Sequence, residues 1–283
     1  MVKVISDSTC DLSKDLLEKY NVAILPLHIL LGEEEYLDGS NITPEEIFAW
    51  ADEHKTTPKT SAPSLDAAVE LIKPYVEAGD EVVCFSISDD MSASGNVMRL
   101  AAEELEAEDR VRVINSENLS TGIGLLVLEA ARMAMEGKSG ARIEERILEL
   151  RPLVRASFVV DTLVYLHRGG RCSGLAAMAG GALKLHPRIA VEAGKMHPGK
   201  KYRGNINKVI MAYVTDMEEE LRKAKKDRVF ITHSGCDAKL VEEVRSYLLS
   251  LGHFDEVLET RAGGVISSHC GPGTLGVLFI ANS

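Results

Sequence analysis

Short, β-branched apolar runs alternate along the chain with longer segments whose apolar residues recur every three or four positions, the pattern of an α/β protein. Residues 2–6 and 22–30 read as strands, with a helix over 13–20 between them. Asn41-Ile42-Thr43-Pro44-Glu45-Glu46 supplies an N-cap with proline just inside it and opens a helix towards His54. Ser64 is placed to cap a second helix running through Val76. A buried strand over 81–88, a helix over 93–107, a strand over 111–114 and a long helix over 120–135 follow. Gly137-Lys138-Ser139-Gly140 breaks that helix, and another runs on to Leu150.

Beyond Arg151-Pro152 the rhythm changes. Residues 156–160, 188–192, 195–202, 229–233, 256–260, 264–268 and 274–280 read as strands, separated by two longer helices over 205–225 and 238–251. The expectation is two α/β domains: 1–153, with a parallel sheet flanked by helices, and 154–283, with a mixed or antiparallel sheet and its own helices.

A chain of 283 residues has room for two cores. Aromatics make up only 5%, so Leu, Val, Ile, Ala and Met must fill them. A formal charge of −11 argues against nucleic acid or an anionic membrane as the general partner. Cys10, Cys84, Cys172, Cys236 and Cys270 are widely spaced and never form a C-x-x-C pair, which argues against a disulfide framework or a zinc site and for a reducing compartment. The N-terminus reads as a strand without a signal h-region, and no uncharged apolar run is long enough to span a bilayer. A cytoplasmic protein without a membrane span is expected.

The candidate chemistry concentrates in four small-polar segments that interrupt apolar runs. Residues 263–276 place His269, with Ser268 beside it, against Gly271-Pro272-Gly273 and hold five glycines, costly unless the backbone bends sharply or approaches something closely. The others are Thr60-Ser61-Ala62-Pro63-Ser64, Met91-Ser92-Ala93-Ser94-Gly95-Asn96 and Leu166-His167-Arg168-Gly169-Gly170-Arg171-Cys172-Ser173. Hydroxyls and backbone N–H groups are neutral donors suited to a carboxylate or phosphate, and Arg168 and Arg171 add positive charge. The plain structural reading of each is ordinary: N-capping for the first two hydroxyl segments, a solvated loop with a C-cap glycine for the arginine segment, an interior histidine for His269. The small apolar run at 174–183 is either a tightly packed helix or a wall beside an inserted apolar chain.

Several enzyme signatures are absent. There is no G-x-S-x-G elbow. Gly137-Lys138-Ser139 resembles the end of a P-loop, but Arg132 occupies the place of its first glycine, and a helix precedes it where a strand should. Gly122-Ile123-Gly124 has Val127 at the third glycine of a dinucleotide fingerprint, and no His-x-x-x-His or similar cluster has metal-ligand spacing.

Ser6-Asp7-Ser8-Thr9-Cys10-Asp11-Leu12, Lys59 through Ser64, Leu166 through Ser173 and Ser267 through Gly276 together resemble the DegV family, in that family's order and across the full chain. The resemblance implies two α/β domains with a long-chain fatty acid held between them, its carboxylate at the mouth and its acyl chain buried. It further implies a binding subunit of a bacterial fatty acid kinase: the carboxylate is presented for phosphorylation, while a separate kinase subunit supplies ATP and metal, and this chain carries no cofactor. By motif position, Thr60 and Ser61 match the carboxylate-contacting hydroxyls, Ser92 the serine of the second loop, and His269 the histidine near the head group. Gly170 and Arg171 belong to the Gly-Gly-Arg element, and Arg203 matches a further basic position; the arginines fall to the ligand mouth or the kinase contact. The chain departs from the family where Ala62 stands in place of glutamine and where Ala93-Ser94-Gly95 replaces Gly-Thr-Tyr, which implies an altered head-group pocket. Two other readings stay open: an acyl- or phosphoryl-transfer enzyme with His269 as general base, and a regulatory α/β protein with an empty pocket.

Overall fold

The structure, a computed structural model, describes residues 1–172 and 185–282; the small apolar run at 174–183 and Ser173 lie outside the described residues. The strands up to residue 115 are β1 (Val2–Asp7), β2 (Val22–Leu25), β3 (His28–Leu31), β4 (Glu34–Leu37), β5 (Lys59–Ser61), β6 (Glu81–Ser86) and β7 (Val111–Asn115). The later ones are β8 (Val154–Val159), β9 (Leu185–Glu192), β10 (Lys195–Arg203), β11 (Ala224–Ser234), β12 (Glu256–Arg261) and β13 (Thr274–Ala281).

The first sheet runs β2-β1-β6-β7 and is parallel throughout. In β6, Val82-Val83-Cys84-Phe85 are apolar on successive residues, as burial on both faces requires. Ile5, Val82, Cys84 and Val111 pack on the helices Leu65–Glu77 and Ser94–Glu104, while Val4, Val83, Phe85 and Ile114 turn to the opposite face. The second sheet, β10-β9-β8-β13-β11-β12, is mixed: β11 and β12 pair in parallel and the other neighbouring strands named pair antiparallel. Its outer face carries the helices Ile206–Asp216, Glu218–Arg222 and Ala238–Ser250. Between the two sheets lies the helix Thr121–Met135. It is buried on nearly every side, so it reads as a hydrophobic run and not as an amphipathic stripe. The mixed α/β architecture expected from the alternation is therefore the one observed.

Four local expectations are corrected. Residues 22–30 are two strands in different sheets, because Pro26 cannot donate to a ladder and the chain turns there. The helix expected over 205–225 ends at Asp216, resumes briefly as Glu218–Arg222, and gives way to β11 at Ala224. The third sheet, β4-β3-β5, is antiparallel and was not anticipated; β5 is the Lys59-Thr60-Ser61 segment itself. Residues 264–268 are helical, within Gly264–Cys270, where a strand was expected. An apolar stretch as short as Val265-Ile266 suits either state, and the helix wins through partners distant in sequence.

Among the described residues no helix is long and apolar enough to cross a membrane.

Candidate functional site

His269 sits in the last turn of the helix Gly264–Cys270, and two buried carboxylates hold the other end of that helix. The Gly263 N–H donates to Asp11 Oδ1 at 2.8 Å and the Gly264 N–H to Asp38 Oδ1 at 2.7 Å. Each acid also ties down a second segment: Ser120 Oγ donates to Asp11 Oδ2 at 2.5 Å, and Ser8 Oγ to Asp38 Oδ2 at 2.7 Å. A helix start leaves its first N–H groups without intrahelical partners, and these carboxyl oxygens accept from them. Burial pushes both carboxyls above the usual range, against the pull of these hydrogen bonds. Single-segment reading missed Asp11 and Asp38, since neither lies near residue 264 in sequence.

Thr60 comes to the same place on β5, whose register with β3 sets Thr60 opposite Ile29. Its Oγ1 lies 2.7 Å from His269 Nε2. The other ring nitrogen, Nδ1, is buried and has no hydrogen-bond partner among the described residues. It faces Gly169, where a Cβ would lie 2.5 Å from Nδ1, so only glycine lets the chain pass this closely. Burial, with a smaller contribution from the Arg171 charge, pushes the imidazole pKa down to about 4. The ring is thus neutral near pH 7. A proton on Nδ1 would be a buried orphan donor, costing about 1–3 kcal/mol. The arrangement therefore favours the proton on Nε2, donated to Thr60, which leaves the threonine proton free to point elsewhere.

It can point into a cavity of about 250 Å³ lined by Thr60, Ser61, Ser92, Arg171 and His269 on the polar side and by apolar groups including Met91 and Met196. Ala62 and Ala93, two of the small departures noted above, also line it. A narrow second space of about 20 Å³ shares Leu119, Ile266 and Cys270 with this cavity and continues towards Phe158 and Leu278, between the two large sheets. The polar end is not sealed: Ser61 and Arg171 are exposed although both line the cavity. The Arg171 guanidinium is held by the Gly169 carbonyl at 2.7 Å.

N-capping does not account for Thr60 or Ser61: Ser64 caps the helix Leu65–Glu77, accepting from the Ala67 N–H at 3.2 Å. At the helix Ser94–Glu104 the N-cap residue Ala93 supplies no side-chain bond, and Ser92 Oγ accepts from the N–H of Ser94, the first helical residue, at 3.2 Å.

Three candidates lie elsewhere. Ser268 is buried, and its hydroxyl donates to the Gly264 carbonyl at 2.7 Å, inside its own helix. Gly170 is the left-handed C-cap of the helix Val164–Gly169, with φ 67°. Arg203 is the exposed last residue of β10, paired with Leu185. None of the three is among the described residues that line the cavity. Among the described residues no group of three or more His, Cys, Asp and Glu is placed to hold a metal ion.

The DegV family model, described as "Uncharacterised protein, DegV family", matches residues 1–282. This chain belongs to the DegV family. A DegV domain-containing protein of Clostridium perfringens is 32% identical over 279 residues, covering 99% of this chain and 98% of that one. A DegV family protein from Thermus thermophilus, described as binding fatty acid, superposes with a TM-score of 0.88 at 32% identity, covering 99% of each chain. A stearic-acid-binding protein from Eubacterium ventriosum superposes with a TM-score of 0.86 at 31% identity, covering 99% of this chain and 98% of that one. These relatives bear out the DegV resemblance and the fold.

Proposed function

We propose that this DegV protein carries a long-chain fatty acid, its carboxylate among Thr60, Ser61, Ser92 and Arg171 and its acyl chain running between an N-terminal lobe, 1–153, and a C-terminal lobe, 154–283. The observation that carries the reading is the cavity itself, where apolar walls meet a hydroxyl oriented by a neutral imidazole. Each methylene moved out of water contributes about 0.8 kcal/mol, so ten of them bring on the order of 8 kcal/mol before the costs of binding. A desolvated carboxylate needs several charge-assisted hydrogen bonds to offset its lost hydration, and the donors named can supply them. Met91 and Met196, unbranched and adaptable, suit a flexible chain. The fatty acids described for the Thermus and Eubacterium relatives support the same ligand class.

The finer reading is a subunit without catalysis of its own, working in the cytoplasm and presenting the carboxylate to a separate fatty acid kinase. The exposure of Arg171 and Ser61 at the polar end supports a head group within reach of a second protein. The Thr60–His269 pair has the contact distance of a nucleophile and its base, which is what favours the competing acyl-transfer reading. Against it, Nδ1 has no acceptor among the described residues to orient the ring, and a pKa of about 4 makes the imidazole a poor base near neutral pH.

Mass spectrometry of the denatured protein after bacterial expression tests the carrier reading: a stoichiometric fatty acid is expected, and its absence would count against it. Pure protein turning over an ester, with turnover lost in His269→Ala, would favour the enzyme. With a kinase subunit and ATP, Arg171→Ala is expected to impair acyl-phosphate formation more than fatty-acid binding; equal losses would contradict the presenting role.

A further inference from the structure

One wall of the cavity is assembled from two segments that belong to different sheets, and the Ser88 hydroxyl joins them. The hairpin of β9 and β10 turns at Ala193 and Gly194, both with positive φ, 47° and 81°, the conformation that two-residue hairpin turns of matching twist require. This tip rests on the loop after β6. Ser88 Oγ donates to the Gly194 carbonyl at 2.7 Å, and the Lys195 ammonium lies 3.6 Å from Asp90. Ser88 also organises its own loop: its carbonyl accepts from the Met91 N–H at 2.8 Å and the Ser92 N–H at 3.1 Å. The side chains that follow on each side, Met91 and Ser92 from the loop and Met196 from β10, face the same cavity.

The junction is tight but lightly held. A Cβ on Gly194 would lie 2.7 Å from Ser88 Oγ, so the tip fits there only as glycine. The ion pair beside it is well exposed, with Lys195 at 61% and Asp90 at 49%, and such pairs contribute little. β10 is the last strand of the sheet, met on its outer side by a single bridge between Cys172 and Met196, so the tip can part from the loop without breaking the strand pairs of the interior. An elongated chain held this deep needs some wall to move, and this wall is joined by a hydroxyl and an exposed ion pair.

We propose that Ser88 is a positioning residue that latches the 88–92 loop to the Ala193-Gly194 tip, setting Ser92 and Met91 against Met196, and that release of this latch opens the cavity to its ligand. The identity of that ligand rests on the fatty-acid reading; the latch does not.

Two measurements test it. In hydrogen exchange on the whole chain, Ser88→Ala is expected to speed exchange of the amides in 88–92 and 193–197 together, by about tenfold for the loss of one hydrogen bond, with the β11 and β13 amides unmoved. Speeding confined to one of the two segments would overturn the latch, as would none at all. The second measurement is kinetic. With cis-parinaric acid as the fluorescent probe, Ser88→Ala is expected to speed both association and dissociation severalfold relative to wild type; equal rates in the two proteins would overturn the gate. Failure of the probe to bind even wild-type protein would count against the fatty-acid reading, and the hydrogen-exchange result would then decide the latch alone.

Discussion

Thr60 Oγ1 lies 2.7 Å from His269 Nε2 although 209 residues separate them in the chain. The contact joins an edge of the small antiparallel sheet to the last turn of the helix Gly264–Cys270. It also decides what the cavity offers a ligand: with the imidazole neutral and donating, Thr60 acts as a donor towards the cavity, which suits an acceptor such as a carboxylate.

Thr60→Val keeps the shape and removes the hydroxyl. Retention of an anionic probe is expected to weaken by about 1–3 kcal/mol. Binding of the methyl ester, whose head carries no charge, should fall less. Fluorescence titration with cis-parinaric acid and its ester checks this, and unchanged affinity for the acid would remove Thr60 from the head-group site.

Gly169→Ala tests the other side of the ring. The added methyl would meet His269 Nδ1 at 2.5 Å, with the backbone of the helix Val164–Gly169 behind it. The imidazole should be displaced from Thr60, changing the ring nitrogen shifts in long-range ¹⁵N spectra and weakening the probe about as much as Thr60→Val does. Wild-type His269 shifts in the variant would show that the ring is not packed against this glycine.

Much of this arrangement was legible beforehand, for identifiable reasons. Thr43-Pro44-Glu45-Glu46 marked a helix start, and Thr43 and Glu46 do form a capping box there. Ser64 marked another, and Val82-Val83-Cys84-Phe85 announced a strand covered on both faces. Local chemistry was enough for these. The helix carrying His269 was not legible, because what makes it a helix is Asp11 and Asp38 reaching its first N–H groups from the far end of the chain. The same limit applies to the site. Thr60, Ser61, Ser92, Arg171 and His269 do converge on one cavity, but Ser268 was drawn in only by adjacency, and successive helical residues point in different directions.

Asp11 carries a prediction of its own. Asp11→Ala leaves the Ser120 hydroxyl and the Gly263 N–H without their acceptor inside the core, and each unsatisfied group costs about 1–3 kcal/mol. Asp11→Asn retains an acceptor and avoids burying a charge, which the raised carboxyl pKa shows to be disfavoured. The alanine variant should therefore lose roughly twice as much stability or more in urea denaturation at pH 7. Equal losses would mean that the hydrogen bonds to Asp11 do not hold the start of the His269 helix.

His269 should make the fold acid-sensitive in a defined window. Its folded pKa, pushed down to about 4 by burial, lies below the value near 6.5 expected for the unfolded chain. The unfolded state therefore binds more protons between these two values, and stability rises with pH across the window. Put the other way, His269 costs nothing above pH 7, and its penalty grows as the medium is acidified towards pH 4. Between pH 7 and pH 5 the penalty is about 2 kcal/mol. His269→Gln can keep a donor towards Thr60 but does not titrate. Urea denaturation at both pH values should show wild type losing about 2 kcal/mol more than His269→Gln on going from pH 7 to pH 5. Parallel losses in the two proteins would show that the imidazole is protonated in the fold at ordinary cost, and the neutral-donor picture of Thr60 would fall with it.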